Sequence, residues 1–258
     1  MILKRMFFCL LTCSLIGLPA LSLTAQNASS WYVKRNAEHK QPTLDSNMQY
    51  IEKYDAYYVD KSKAESDDKV IYLTFDAGYE NGNVGRIVDI LINENVPAAF
   101  FVLDNIIIKN TELVNKMAEN NLLVCNHTLK HRDMTKITNI EEFKNELTSL
   151  ESVYKEKTGR EMAKYYRPPE GKFSEENLAF AKELGYKTIF WSFAYADWDN
   201  EKQPTREYAL KKILDNTHNG AVILLHPTSK TNADIMPALI KELKNQGYRF
   251  GTLDELTK

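Results

Sequence analysis

Cysteine is nearly absent from this chain. Of three in 258 residues, Cys9 and Cys13 fall in an apolar run at the start, which leaves Cys125 alone in the remainder. One thiol cannot close an internal disulfide, so core burial must hold the fold together, and a chain of this length can supply it. Glycine (10) and proline (8) are also sparse, which excludes collagenous and linker-rich classes. No internal repeat or low-complexity tract stands out. An excess of charge of one sign is missing too: 33 basic residues face 35 acidic ones, a formal net charge of -2. That balance gives no electrostatic reason to expect nucleic acid or an anionic membrane surface as partner. With 43% apolar and 26% charged residues, what remains is an ordinary globular composition.

The chain opens with a targeting segment. Lys4 and Arg5 precede a weakly polar to apolar run over residues 6–23, and small and polar residues follow from Thr24 to Ala28. This is the pattern of a secretory signal peptide spanning residues 1–26, and Pro19 favours cleavage. The run is also about long enough to stay as an uncleaved membrane anchor. Either way, the bulk of the chain is expected outside the cytoplasm. Residues 27–68 are polar and irregular, dotted with Trp31, Tyr50, Tyr54, Tyr57 and Tyr58, and read as an extension packing on the core. Residues 69–258 read as the one main domain, and a monomer is expected.

From residue 70 strands and helices alternate. Residues 70–75 (VIYLTF), 98–103, 122–126, the stretch at Tyr165 and Tyr166, 187–193, 221–225 and 248–253 are short, apolar and rich in β-branched and aromatic residues, as buried strands are. Helices are expected over 83–95, 111–120, a long segment capped by Asn139 and ended by Gly159, a segment capped by Ser174 and stopped by Gly185, 206–216 and 233–246. About seven strands alternating with helices imply an α/β fold, a distorted (β/α) barrel of parallel strands. In such barrels the active site lies at the carboxyl ends of the strands.

The unusual polar residues fall at those ends. Strand one runs out in Thr74-Phe75-Asp76-Ala77-Gly78-Tyr79, strand three in Cys125-Asn126-His127-Thr128-Leu129-Lys130-His131, and strand four in Arg167-Pro168-Pro169-Glu170-Gly171. Strand five leads to Ala196-Asp197-Trp198 and strand six ends in Leu224-Leu225-His226-Pro227. Alone, each is unremarkable: an Asp after a strand is usually a turn former, and a single His is usually structural. Together they bring carboxylates, imidazoles and a guanidinium to one rim from five strand ends.

His127 and His131 are spaced one helical turn apart, so both rings can point the same way. Imidazole pairs suit zinc, cobalt, nickel or iron. Thr128 stands where a zinc protease needs Glu, which argues against that class. Cys125 reads as a small core residue rather than a ligand.

In their order along the chain, TFDAG, NHTLKH, RPPEG, ADW and LLH resemble the five motifs of the polysaccharide deacetylases with a NodB homology domain, carbohydrate esterase family 4. TFDAGYENG and the Trp31-Tyr32 extension are similar to one branch, the delta-lactam biosynthetic de-N-acetylases. The resemblance covers residues from about 69 to the end.

The resemblance implies hydrolysis of the N-acetyl group of N-acetylmuramic acid in peptidoglycan, preparing muramic delta-lactam formation in the spore cortex. The partner is then a peptidoglycan glycan strand whose stem peptides an amidase has removed. It implies Asp76 as general base, Arg167 as the residue that holds it, His226 as general acid and Asp197 as the acid's partner. His127 and His131 become ligands of a divalent metal, zinc first, with cobalt or nickel as alternatives. Ala77, Gly78, Tyr79, Pro168, Trp198 and Leu224 become substrate-binding residues, the backbone N–H near Ala77 or Gly78 serving the oxyanion.

One position departs from the family pattern. Ala77 stands where most members carry a second Asp that completes the metal site, although the closer branch shares the alanine. Two imidazoles alone make an open, weak site. An N-acetylglucosamine deacetylase, an O-ester hydrolase and a non-catalytic wall-binding protein on the same fold remain as alternative readings.

Overall fold

The computed structural model describes residues 28–35 and 38–258. The expected signal segment, with Cys9 and Cys13, lies outside them.

Among the described residues, ten strands and eight α-helices follow in order: β1 (Ser29–Ser30), β2 (Ala56–Tyr57), β3 (Val70–Ala77), α1 (Asn83–Asn93), β4 (Ala98–Val102), α2 (Asp104–Lys109), α3 (Thr111–Glu119), β5 (Leu122–Asn126), α4 (Ile140–Thr158), β6 (Ala163–Tyr166), β7 (Lys172–Phe173), α5 (Glu175–Glu183), β8 (Lys187–Ile189), α6 (Arg206–Asn216), β9 (Ala221–Leu225), α7 (Lys230–Asn245), β10 (Arg249–Phe250) and α8 (Leu253–Leu256). β3 pairs in parallel with β4 and β9, and β4, β5, β6, β8 and β2 continue the sheet. All ladders of this sheet are parallel. β3 and β9 are apolar nearly end to end because both their faces are covered.

The sheet curls back on itself. Past β8, Phe193 bridges Ile223 of β9 in parallel, so the first and last strands meet through an irregular segment rather than a regular ladder. The expected strand over 187–193 therefore shortens to Lys187–Ile189. The physical reason is a buried guanidinium: Arg167 takes the carbonyls of Ile189 (2.9 Å) and Phe190 (3.3 Å) as hydrogen-bond acceptors.

Several helix signals act as read. The Asn139 side chain accepts from the amides of Glu141 and Glu142, and Gly159 closes α4 at φ 70°. Ser174 caps α5. α7 begins earlier than expected, at Lys230, because Ser229 caps it by accepting from the Asn232 amide. The last expected strand, 248–253, is only Arg249–Phe250; Gly251 then passes so close to Tyr72 that a Cβ would meet the ring at 2.6 Å, and Thr252 caps α8.

The segments before β3 lie on the barrel. Trp31, Met48, Ile51, Ala56, Tyr58 and Val59 form one buried cluster with Phe173, Leu178 and Phe190. The Trp31 ring stacks on Phe190 at 4.2 Å and 13°, and β2 adds a strand beside β8. Strand β2, two residues long, carries no alternation that would announce it.

Candidate active site

The register of the sheet sets the site. Phe75 pairs with Leu225, so the next residues, Asp76 and His226, leave neighbouring strands side by side. Asn126 pairs with Tyr166, so His127 and Arg167 do the same. Asp197 arrives from the irregular segment after β8. The sheet's carboxyl edge thus collects a cleft of about 700 Å³ lined by Asp76, His127, His131 and His226, with Tyr79, Trp191, Tyr195, Trp198 and Leu224 as its larger walls.

Arg167 is the buried centre of this arrangement, with no solvent exposure. Its Nη1 donates to Asp76 Oδ1 at 2.8 Å, and Nη2 to Thr74 Oγ1 at 2.9 Å. The guanidinium lies 4.1 Å from the Phe101 ring centroid, as a weakly hydrated planar cation can. Burial alone would raise the Asp76 carboxyl, but the Arg167 charge first, with His226 and the Arg167 hydrogen bond, outweighs it and holds the group below its ordinary value. Asp76 is therefore an anion at neutral pH, with Oδ2 left free of the arginine.

His127 is buried. Its Nδ1 sits 2.8 Å from the carbonyl of Arg167, which can only accept, so Nδ1 carries the hydrogen and the lone pair is on Nε2. Nε2 is 3.5 Å from Asp76 Oδ2. Burial pushes the imidazole down to about 4, only partly opposed by Asp76, so the ring is neutral and able to ligate. The His131 ring lies 5.0 Å from it, edge to face at 73°.

The two rings meet for a reason other than the helical turn expected from their spacing. Residues 127–131 form a tight non-helical turn in which Thr128 (φ 71°) and His131 (φ 56°) are left-handed. A β-branched residue in that region is strained. Asn126 supports it: its Oδ1 accepts from the Thr128 amide at 2.9 Å, and Thr128 Oγ1 accepts from the His131 amide at 3.0 Å.

As a metal site the donor set is open. Among the described residues no group of three or more His, Cys, Asp or Glu side chains converges on one point. Two imidazoles, one with its lone pair fixed toward the cleft, fit a labile divalent ion rather than a tight structural one. Cys125 is buried beneath the site, packed with Phe101 and Tyr165, and does not line the cleft.

His226 and Asp197 form the second unit. His226 Nδ1 lies 2.7 Å from Asp197 Oδ1, and the His226 amide donates to Oδ2 at 2.9 Å. Asn232 Nδ2 donates to the same Oδ2 at 2.7 Å, and Tyr195 holds the Asn232 carbonyl oxygen. Burial would lower the imidazole, yet the Asp197 hydrogen bond and charge prevail and raise it above its ordinary value. Protonated, it presents Nε2–H to the cleft.

Of the expected binding residues, Gly78, Tyr79, Trp198 and Leu224 line the cleft, whereas the side chains of Ala77 and Pro168 are buried and do not. Trp198 is 61% exposed and stands 6.2 Å from the His226 ring; Tyr79 is held by Asn200 Nδ2 at 2.6 Å. Thr74, Trp191, Tyr195 and Asn232 were not foreshadowed. Thr74 and Trp191 lie within apolar runs and Asn232 within a helix, where nothing in a linear pattern marks them.

Comparison with known proteins places this geometry. The family model described as polysaccharide deacetylase matches residues 63–189. The peptidoglycan-N-acetylmuramic acid deacetylase PdaA of Bacillus subtilis is 39% identical over 229 residues, covering 88% of this chain and 85% of that protein. The solved structure of Bacillus subtilis PdaA, a family 4 carbohydrate esterase, matches with a TM-score of 0.83 at 35% identity over 89% of this chain and 96% of that one. A family 4 carbohydrate esterase from Bacillus anthracis matches with a TM-score of 0.72 at 35% identity, over 90% and 97%. At such identity, spread across nearly the whole chain instead of the motifs alone, the likeness is one of descent, and this chain belongs to the polysaccharide deacetylase family.

Proposed function

We propose that this hydrolase removes the N-acetyl group from N-acetylmuramic acid residues of peptidoglycan. The observation that carries the reading is the placement of a carboxylate and an imidazolium on adjacent strand ends, Asp76 and His226, facing one cleft, in a chain 39% identical to a muramic acid deacetylase. Amide hydrolysis needs two proton transfers, one from water and one to the departing nitrogen, and a separate base and acid suit it. Asp76 Oδ2 takes the proton from the attacking water while Arg167 fixes Oδ1. The backbone N–H near Ala77 or Gly78 donates to the developing oxyanion. His226 Nε2 then delivers its proton to the amine, the C–N bond breaks, and acetate leaves. Asp197 holds the imidazole in orientation and keeps it charged. His127 and His131 would hold a divalent ion, zinc first, with cobalt or nickel as alternatives. Such an ion supplies carbonyl polarisation and an acidified water.

Trp198, Tyr79 and Leu224 form walls against which a sugar ring can lie. The action is extracytoplasmic, since the substrate is the wall, with residues 1–26 as signal peptide or anchor. Residues 27–68 and 69–258 work as one unit, a monomer, with an amidase removing stem peptides first and the freed amine going on to muramic delta-lactam in the spore cortex. The open metal site favours a non-catalytic wall-binding protein as second reading, but binding alone has no use for the Asp197–His226 couple.

The test counts products. Wild type should release acetate and free amine one to one from an N-acetylated muramic glycan. Asp76→Asn should lower the rate by about 10²–10⁴-fold with the fold intact. Equal rates in the two proteins would overturn the assignment, and release from aryl acetates without any amine product would point to an esterase.

A further inference from the structure

We propose that Arg35 is the specificity-determining residue that reads the free lactyl carboxylate of a muramic acid whose stem peptide is gone. The inference rests on the muramic reading above. Residues 28–35 pack against the wall of the cleft, bonded to residues that line it. Ser29 and Ser30 pair antiparallel with Phe173 and Lys172. The Trp31 amide donates to Gly171 O at 2.8 Å and its Nε1 to Trp191 O at 2.8 Å, and both acceptor residues line the cleft. Gly171 leaves no room for error there: a Cβ on it would meet Trp191 at 2.7 Å and Trp31 at 3.0 Å. Four residues on, Arg35 Nη1 donates to the carbonyl of Ala194 at 3.4 Å, with its guanidinium 5.5 Å from the Phe193 ring centroid. Ala194 is also a cleft residue. The segment is pinned at Trp31 and sets a cation beside Ala194 of the cleft wall.

That cation is exposed and has no carboxylate partner among the described residues. The other cations beside cleft residues are already neutralised: Arg167 by Asp76 (2.8 Å), Lys172 by Glu170 (2.6 Å) and Lys130 by Asp104. With a single Nη1 bond to a backbone oxygen, most of the Arg35 fork is available to a planar anion, the partner its geometry matches in two-point contact. The substrate supplies one. The lactyl group hangs from the sugar carbon next to the one bearing the acetamide. With the amide inside the cleft, the lactyl carboxylate lies at the rim. A stem peptide turns that carboxylate into a neutral amide, which the guanidinium favours far less.

The experiment compares the full chain with Arg35→Ala and Arg35→Lys on peptide-free muramic oligosaccharides and on the same oligosaccharides with the lactyl carboxylate converted to its methyl amide. Wild type should show a KM roughly tenfold lower for the carboxylate than for the amide, as expected of one partly screened charge-assisted pair. Arg35→Ala should bring that ratio close to one with kcat on the carboxylate substrate little altered, and Arg35→Lys should fall between. Added salt should raise the wild-type KM for the carboxylate and leave that of Arg35→Ala flat. If wild type deacetylates muramic residues and the ratio is the same in Arg35→Ala, this inference fails alone. If wild type acts only on glucosamine residues, the muramic reading and this inference fall together.

Discussion

Asp76 Oδ1 and Arg167 Nη1 are 2.8 Å apart, and the arginine that makes this contact is wholly buried. A charge taken out of water needs full compensation, and here two carbonyls, a hydroxyl and one carboxylate provide it. The pair is the link between stability and chemistry, because the group that satisfies the guanidinium is the one proposed as base. Replacing Arg167 by Ala removes the fully buried partner of Asp76. We expect a loss of about 3–5 kcal/mol in urea unfolding. Residual activity should require higher pH, as the carboxyl loses the cation that holds it down. A variant as stable as wild type would contradict the arrangement.

The pH profile should be set on its basic side by His226. Activity needs the imidazolium, whose folded value is raised above the ordinary one by Asp197 despite burial. Activity should therefore persist at neutral pH and fall as pH rises through that raised value. Asp197→Asn keeps the shape and removes the charge, so the basic limb should move to lower pH, with kcat reduced by about 10²–10⁴-fold. The same group contributes stability below its unfolded value, and that contribution is lost as pH rises through the folded value. In Asp197→Asn this slope of stability with pH should flatten, which thermal melts across the range would measure.

Trp31 ties the segment before the barrel to the site. It is 6% exposed, stacks on Phe190 and bonds Trp191 O, and Phe190 O in turn accepts from Arg167. Trp31→Ala should cost about 3–5 kcal/mol and lower kcat in the fraction that stays folded. Trp31→Phe keeps a ring on Phe190 and loses one hydrogen bond, so it should cost about 1 kcal/mol. Denaturant midpoints for the two, set beside their kcat values, check this.

Metal binding should depend on His131 without the fold depending on it. The residue is exposed, so His131→Ala should shift stability by less than about 0.5 kcal/mol. Titration calorimetry with zinc should show one weak site in the wild type and none in the variant. Unchanged binding would remove the histidine pair from the metal site.

Much of this was readable along the chain. Continuous apolar runs such as residues 70–75 announced parallel strands, and the polar residue that follows each, Asp76, His127, Arg167 or His226, stood out against them. The pairing register then brings them together with no further information. Other features have no linear signal. Thr74 is one more residue in a β-rich run, yet its hydroxyl bridges Ile223 O and Arg167. Asn232 sits in a helix and meets Asp197 only through the fold. The turn joining His127 and His131 owes its shape to left-handed Thr128 and His131, and a β-branched Thr is a residue type that rarely adopts that conformation. β8 ends early because Arg167 claims its carbonyls, a tertiary effect that local propensity cannot contain.

The most direct measurement incubates the purified protein, with and without added zinc, with peptidoglycan that either retains or lacks its stem peptides, and then reads digested fragments by mass spectrometry. The account predicts loss of one acetyl mass from muramic acid residues of the peptide-free glycan, dependent on metal. Loss from glucosamine residues alone, or no loss from a folded protein under any divalent metal, would contradict it.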